Sequence, residues 1–162
     1  MSNAYLYRMP SGIPGDVSRK LDSTIDTQLF NSSLPFASYG IPAKLASGKV
    51  VPFAGGETTA DLFGFLVRPF PTQSAQEPIG TATPPTTGPA NILRRGWMTV
   101  KCNAGTPAQG GTVYVRIATP SGAKVIGGIE AVSDTTNTVA LTGVKFTNAG
   151  DASGNVEIEY NI

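Results

Sequence analysis

Along the second half of the chain, apolar and polar residues alternate with a period of two, the pattern of strands that bury one face. Residues 92–102 run through Ile92, Trp97, Met98 and Val100, and residues 112–118 set Val113, Val115 and Ile117 against Tyr114 and Arg116. Thr119, Pro120, Ser121 and Gly122 read as a turn into a strand over 123–129. Residues 138–146 place Val139 and Leu141 on one parity and Val144 and Phe146 on the other, so a bulge at Gly143 is expected to reset the facing. The last segment, 155–162, puts Val156, Ile158, Tyr160 and Ile162 on one face, which predicts a chain ending inside a strand. Short strands separated by Gly- and Asn-rich turns indicate an all-β fold, either a small antiparallel β-barrel or a jelly-roll-like sandwich.

The first half is less regular. Pro10, Gly12, Pro14 and Gly15 deny residues 1–16 a helix or a central strand, so they read as an extended arm. Tyr5, Leu6, Tyr7 and Met9 give this arm apolar side chains that a solvated tail does not need. They lie on the arm's own domain or on a neighbouring subunit. In residues 16–30, Val17, Leu21, Ile25 and Leu29 recur at helical spacing, whereas Ile25, Thr27 and Leu29 share one face of a strand over 24–30. The Ser, Thr and Asp residues here favour the strand. Strands are also expected at 49–54 and at 62–68, where Phe63, Phe65 and Val67 oppose Leu62 and Leu66. With both faces apolar, the latter strand should be deeply buried, and Gly64 leaves room for a bulge or another backbone. Residues 69–91 hold six prolines and almost no large apolar residue, forming a long loop or second arm. The organisation is thus an arm over 1–16 and a single β domain over 17–162.

Composition narrows function mainly by exclusion. The chain has 162 residues, of which 19 are Gly and 13 Pro, about a fifth together, so it is a poor helix former. It contains no His, which removes Ser-His-Asp and Cys-His catalysis, His-ligated zinc and the usual proton carrier near neutral pH. The single cysteine, Cys102, makes no internal disulfide and reads as a small buried apolar residue. Twelve basic residues balance eleven acidic ones, so nothing argues for nucleic-acid binding. No signal peptide and no apolar run long enough for a membrane span is seen, which points to synthesis in a cytoplasm-like compartment.

No candidate chemistry outweighs its structural alternative. The Gly-rich stretch 105–111 lacks the Gly-Lys-Ser/Thr ending of a phosphate loop and precedes a strand. Asp151, Ser153 and Asn155, with Glu157 nearby, do not follow the spacing of a calcium loop and read as a turn. Asp22 and Asp26 fit a solvated face better than an acid–base dyad. Arg94 and Arg95, beside Trp97, are either a small stacking and phosphate-binding patch or charges guarding a sheet edge. Neither a cofactor nor a metal is implied. Asn31-Ser-Ser33 matches a glycosylation acceptor without a secretory route to use it.

Several pieces in this order carry a resemblance: GDVSR at 15–19, SYG at 38–40, FGFLVRP at 63–69, a Pro/Thr loop, RRGWMTVKC at 94–102, GGTVYVRIATPSG at 110–122 and a closing NVEIEYNI. The chain resembles the structural cement, or decoration, proteins of tailed-bacteriophage capsids. The resemblance implies a non-enzymatic β-barrel or jelly-roll-like protein that self-associates as a dimer or trimer. It would sit on the outer surface of the virion, across joints between major capsid proteins, after synthesis in the host cytoplasm. Contact with capsid or neighbouring subunits would then fall to Tyr5, Leu6, Tyr7 and Met9 of the arm and to Arg19, Arg94 and Arg95. The competing reading is a β-sandwich ligand-binding module, carbohydrate-binding or fibre-associated, which would show aromatic residues clustered on one exposed face.

Overall fold

The computed structural model describes residues 12–69 and 83–162. Nine strands form among them: β1 Thr24–Leu29, β2 Pro42–Ala46, β3 Lys49–Pro52, β4 Gly64–Leu66, β5 Pro89–Ala104, β6 Thr112–Arg116, β7 Ile129–Glu130, β8 Thr138–Phe146 and β9 Asn155–Tyr160. Helical structure among the described residues is limited to 3-10 turns at Lys20–Asp22, Thr59–Asp61 and Thr135–Asn137. The protein is all-β. The ambiguous 16–30 region resolves into one such turn followed by a strand.

The long strand β5 organises the molecule. Its C-terminal half belongs to a closed barrel in which β5 pairs with β9, β9 with β8, β8 with β6, β6 with β7 and β7 with β5. Four of these pairings are antiparallel, but β5 and β7 run parallel, so the barrel is mixed rather than wholly antiparallel. The N-terminal half of β5 pairs with β1 and with β4, and the sheet continues through β2 to β3. A parallel bridge from Phe30 to Val50 brings the end of β1 back to β3, closing a second, smaller lobe. Each lobe has its own core. Phe65, Leu93, Met98, Val113, Val115, Phe146, Val156 and Ile158 are among those filling the barrel, while Phe30, Phe36, Tyr39, Val50, Leu66 and Ile92 fill the smaller lobe.

This division explains the two apolar faces of the β4 region. Phe65 and Val67 enter the barrel core and Leu66 the other, so the strand is a wall between two interiors. A Cβ at Gly64 would lie 2.3 Å from the Leu93 carbonyl oxygen, the close backbone approach that its sequence context implied. In β5 the inward parity changes from Leu93 to Met98 and Val100. Gly96, with φ +131, lies between them, and a Cβ there would meet the Ser23 hydroxyl at 2.1 Å. In β8, Gly143 at φ +72 similarly lets Leu141, Val144 and Phe146 all face inward.

Two strand expectations are corrected. Residues 123–129 form no continuous strand: a bridge joins Ser121 to Lys124, and β7 holds two residues. The Arg116 guanidinium donates to the carbonyls of Ala118 and Thr119 (both 3.2 Å), which draws the chain off the ladder until the Gly128 carbonyl accepts from the Arg116 N–H at 3.0 Å. At the other end, Asn161 at φ +55 terminates β9, so Ile162 lies outside the strand and is exposed.

Candidate assembly surface

Residues 15–18 lie along the edge of β5 opposite β9. Gly15 N–H donates to the Thr99 carbonyl (2.8 Å), Thr99 N–H to Asp16 (2.9 Å) and Ser18 N–H to Trp97 (3.2 Å), with Val17 bridging Met98. Gly15 is required by crowding: a Cβ there would sit 2.5 Å from Cβ of Tyr39, and one on Gly40 would sit 2.8 Å from the Gly15 nitrogen. The GDVSR and SYG motifs are therefore two sides of one backbone crossing. The Arg68 N–H donates to the Gly15 carbonyl and ties in a third segment (2.8 Å).

The three described contact candidates have different surroundings. The Arg19 guanidinium stacks 4.5 Å from the Trp97 ring centroid and reaches Glu157 on β9 at 3.2 Å. Glu157 also accepts from the hydroxyls of Ser18 (2.5 Å) and Thr147 (2.7 Å). Burial pushes the Glu157 carboxyl up, but these hydrogen bonds and the Arg19 charge outweigh it and hold the group below the ordinary glutamate range. Arg19 is thus a latch that fastens the N-terminal segment across β5. Arg94 lies 3.7 Å above the Phe63 ring and donates to the Phe63 carbonyl, within its own chain. Arg95 is exposed and, among the described residues, approaches the Asp22 carbonyl at 3.4 Å. Tyr5, Leu6, Tyr7 and Met9 lie outside the described residues.

The structure adds a surface that the sequence did not single out. Leu21 is fully exposed, and Ile25 and Leu29 on β1 are about half exposed (45% and 55%). Asp26 and Gln28, of the opposite parity, share the face of Ala90 and Ile92, which line the smaller core. Polar residues thus face the smaller core, while Ile25 and Leu29 take the face of Leu93, on the barrel side of the sheet, and stay about half exposed there. Strand alternation grouped Ile25, Thr27 and Leu29, but only the pairing with β5 shows which way that group points. Beside it is a cleft of about 580 Å³ lined by Gly12, Val17, Ile25, Val67 and Pro69 together with Asp16. Burial raises the Asp16 carboxyl above the ordinary aspartate range against the opposing charges of Arg68 and Lys20.

These features suit contact. None of the exposed large apolar side chains among the described residues is aromatic, while Phe63, Trp97 and Tyr114 are half-buried. No cluster of three metal-ligating side chains occurs among the described residues. The Cys102 thiol is pushed up by burial and its Sγ lies 3.2 Å from the Ala104 carbonyl.

The sequence model of the XM1 gp53 minor capsid protein family matches residues 1–160. The chain belongs to that family. Membership makes it a structural protein of a phage capsid, present in the virion and associated with capsid proteins. The fold agrees: a chain from "The capsid of Myoviridae Phage XM1" superposes with a TM-score of 0.70, covering 99% of this chain and 97% of that one at 18% identity. No curated protein matches the chain.

Proposed function

We propose that this minor capsid protein is a cement protein, binding the outer surface of the phage head across joints between major capsid proteins and bracing the shell against internal pressure. Its work is contact rather than catalysis. The observation that carries this reading is the row of exposed apolar side chains Leu21, Ile25 and Leu29, adjoining the cleft from which residues 12 and 69 lead to the two proposed arms. A body anchored at several modest contacts gains avidity, because each bound contact raises the effective concentration of the next. In this reading 1–16 is the arm, 17–162 the single β domain and 69–91 the second reaching segment. Copies self-associate as dimers or trimers, and Arg95 is the best placed of the three described arginines to meet a neighbour.

Co-sedimentation with empty expanded shells tests the proposal. The intact chain should pellet with shells and raise their resistance to heat or osmotic shock. Loss of residues 1–11 should weaken binding by about tenfold or more. Absence of shell binding by the intact chain, together with binding to a glycan array, would replace this reading with the ligand-binding module.

A further inference from the structure

Among the described residues, the outer edge of β1 is a short open slot. Phe30 N–H donates to the Gly88 carbonyl at 3.0 Å, in register with the β1–β5 ladder. Antiparallel alternation then points the backbone groups of Asp26 and Gln28 toward β5 and those of Ile25 and Thr27 away from it. No partner for these outward groups occurs among the described residues. The 3-10 turn at Lys20–Asp22 bounds the slot at one end, and the Phe30–Val50 bridge bounds it at the other. What remains open is about five residues long, unguarded by Pro or Lys, with apolar side chains on one face.

We propose that this slot receives residues 5–9 of a neighbouring copy as an added antiparallel strand. This deepens the cement reading by naming the chain that the arm reaches. The segment Tyr5, Leu6, Tyr7, Arg8 and Met9 matches the slot in length, and Pro10 stops the strand where the 3-10 turn begins. With Met9 opposite Ile25, Arg8 falls opposite Asp26, Tyr7 opposite Thr27 and Leu6 opposite Gln28. Tyr7 and Met9 then extend the apolar face of Ile25 and Leu29, while the one charge of the segment meets the one charge of the strand. A second copy of β1 fits less well, because its symmetric registers set Asp26 against Asp26 or run into β3 at Leu29. The chain's own arm and a neighbour's are told apart by the test, because neither variant alone carries cysteines at both positions.

The test mixes two purified full-length variants, Met9→Cys and Ile25→Cys, each also carrying Cys102→Ser, under mild oxidation without shells. A hydrogen-bonded antiparallel pair places Cα atoms about 5.5 Å apart, within disulfide reach. The expected result is a heterodimer linked through positions 9 and 25. Charge reversal by Arg8→Asp on one partner, or Asp26→Arg on the other, should lower the yield about tenfold, and combining the two should restore it. No heterodimer from two variants that retain wild-type circular dichroism would overturn strand exchange, and charge reversals without effect would overturn the register. Shell binding by the intact chain is read in a separate experiment, so failure of the exchange and failure of the cement reading are distinguishable.

Discussion

The barrel and the smaller lobe share one strand yet differ in how they are closed. Among the described residues the barrel is a ring of five paired strands around sixteen buried core residues, whereas eight such residues fill the smaller lobe, which closes at a single bridge. Every barrel strand has partners on both edges, so none of its edges remains for another chain. Among the described residues the smaller lobe keeps an open edge, and Ile25 and Leu29 on β1 stay about half exposed. Stability is concentrated where hydrogen bonding is complete, and the proposed means of association lie where it is not.

The largest break in this comparison is expected from Arg116, 1% exposed, which pairs with the fully buried Glu130 at 2.5 Å and with Asp134 at 2.6 Å. Arg116→Met should cost about 3–5 kcal/mol in urea unfolding, because it strands a buried carboxylate. Adding Glu130→Leu should recover most of that loss, since the cost lies in an uncompensated charge. Next, Phe36→Ala removes a ring packed edge-on against Phe30 in the smaller core, at a cost of about 3 kcal/mol. Amide exchange should accelerate in β2 and β3 while β6 and β8 stay protected; equal loss of protection in all four would show that the lobes open as one unit.

A smaller effect sharpens the boundary between the lobes. Gly96→Ala forces a side chain into a φ of +131 against Ser23 and should cost about 2 kcal/mol, with exchange rising first in β1. The smallest effect concerns the carboxylates. In Glu57, burial raises the pKa but hydrogen bonds from Ala54, Lys44 and Gly55 overcome it, and Glu157 is held low in the same way. Both groups lose protons more readily folded than unfolded. Their stabilisation is therefore complete above the ordinary glutamate pKa, about 4.5, and is lost as pH falls through their lower folded values. Glu157→Gln should cost about 1 kcal/mol or less at pH 7, and the double variant with Glu57→Gln should flatten the dependence of the urea midpoint between neutral and acid pH.

Much of the barrel was legible because its strands bury one face each. Val113 and Val115, or Val156, Ile158 and Tyr160, announce their inward side by alternation alone, and the Gly143 bulge followed from a change of parity. The strand expected at 123–129 failed because a local polar demand that alternation does not report, the Arg116 guanidinium taking the carbonyls of Ala118 and Thr119 two and three residues on, turns the chain off the ladder. The candidate surface was only half legible. Arg94 and Arg95 are neighbours in sequence, yet one is spent on Phe63 within the chain and the other is exposed. Nothing in their spacing separates them.

By itself the sequence determined an all-β chain, its later strand positions and the absence of histidine chemistry, because period-two alternation and residue inventory are local properties. The tertiary structure alone decided that β5 serves two cores, that β7 runs parallel to it and that Ile25 and Leu29 stay about half exposed on the barrel side of β1. Those outcomes depend on which strand pairs with which and in what register. A shift of one residue in the pairing of β1 with β5 would exchange its buried and exposed faces without changing a single amino acid.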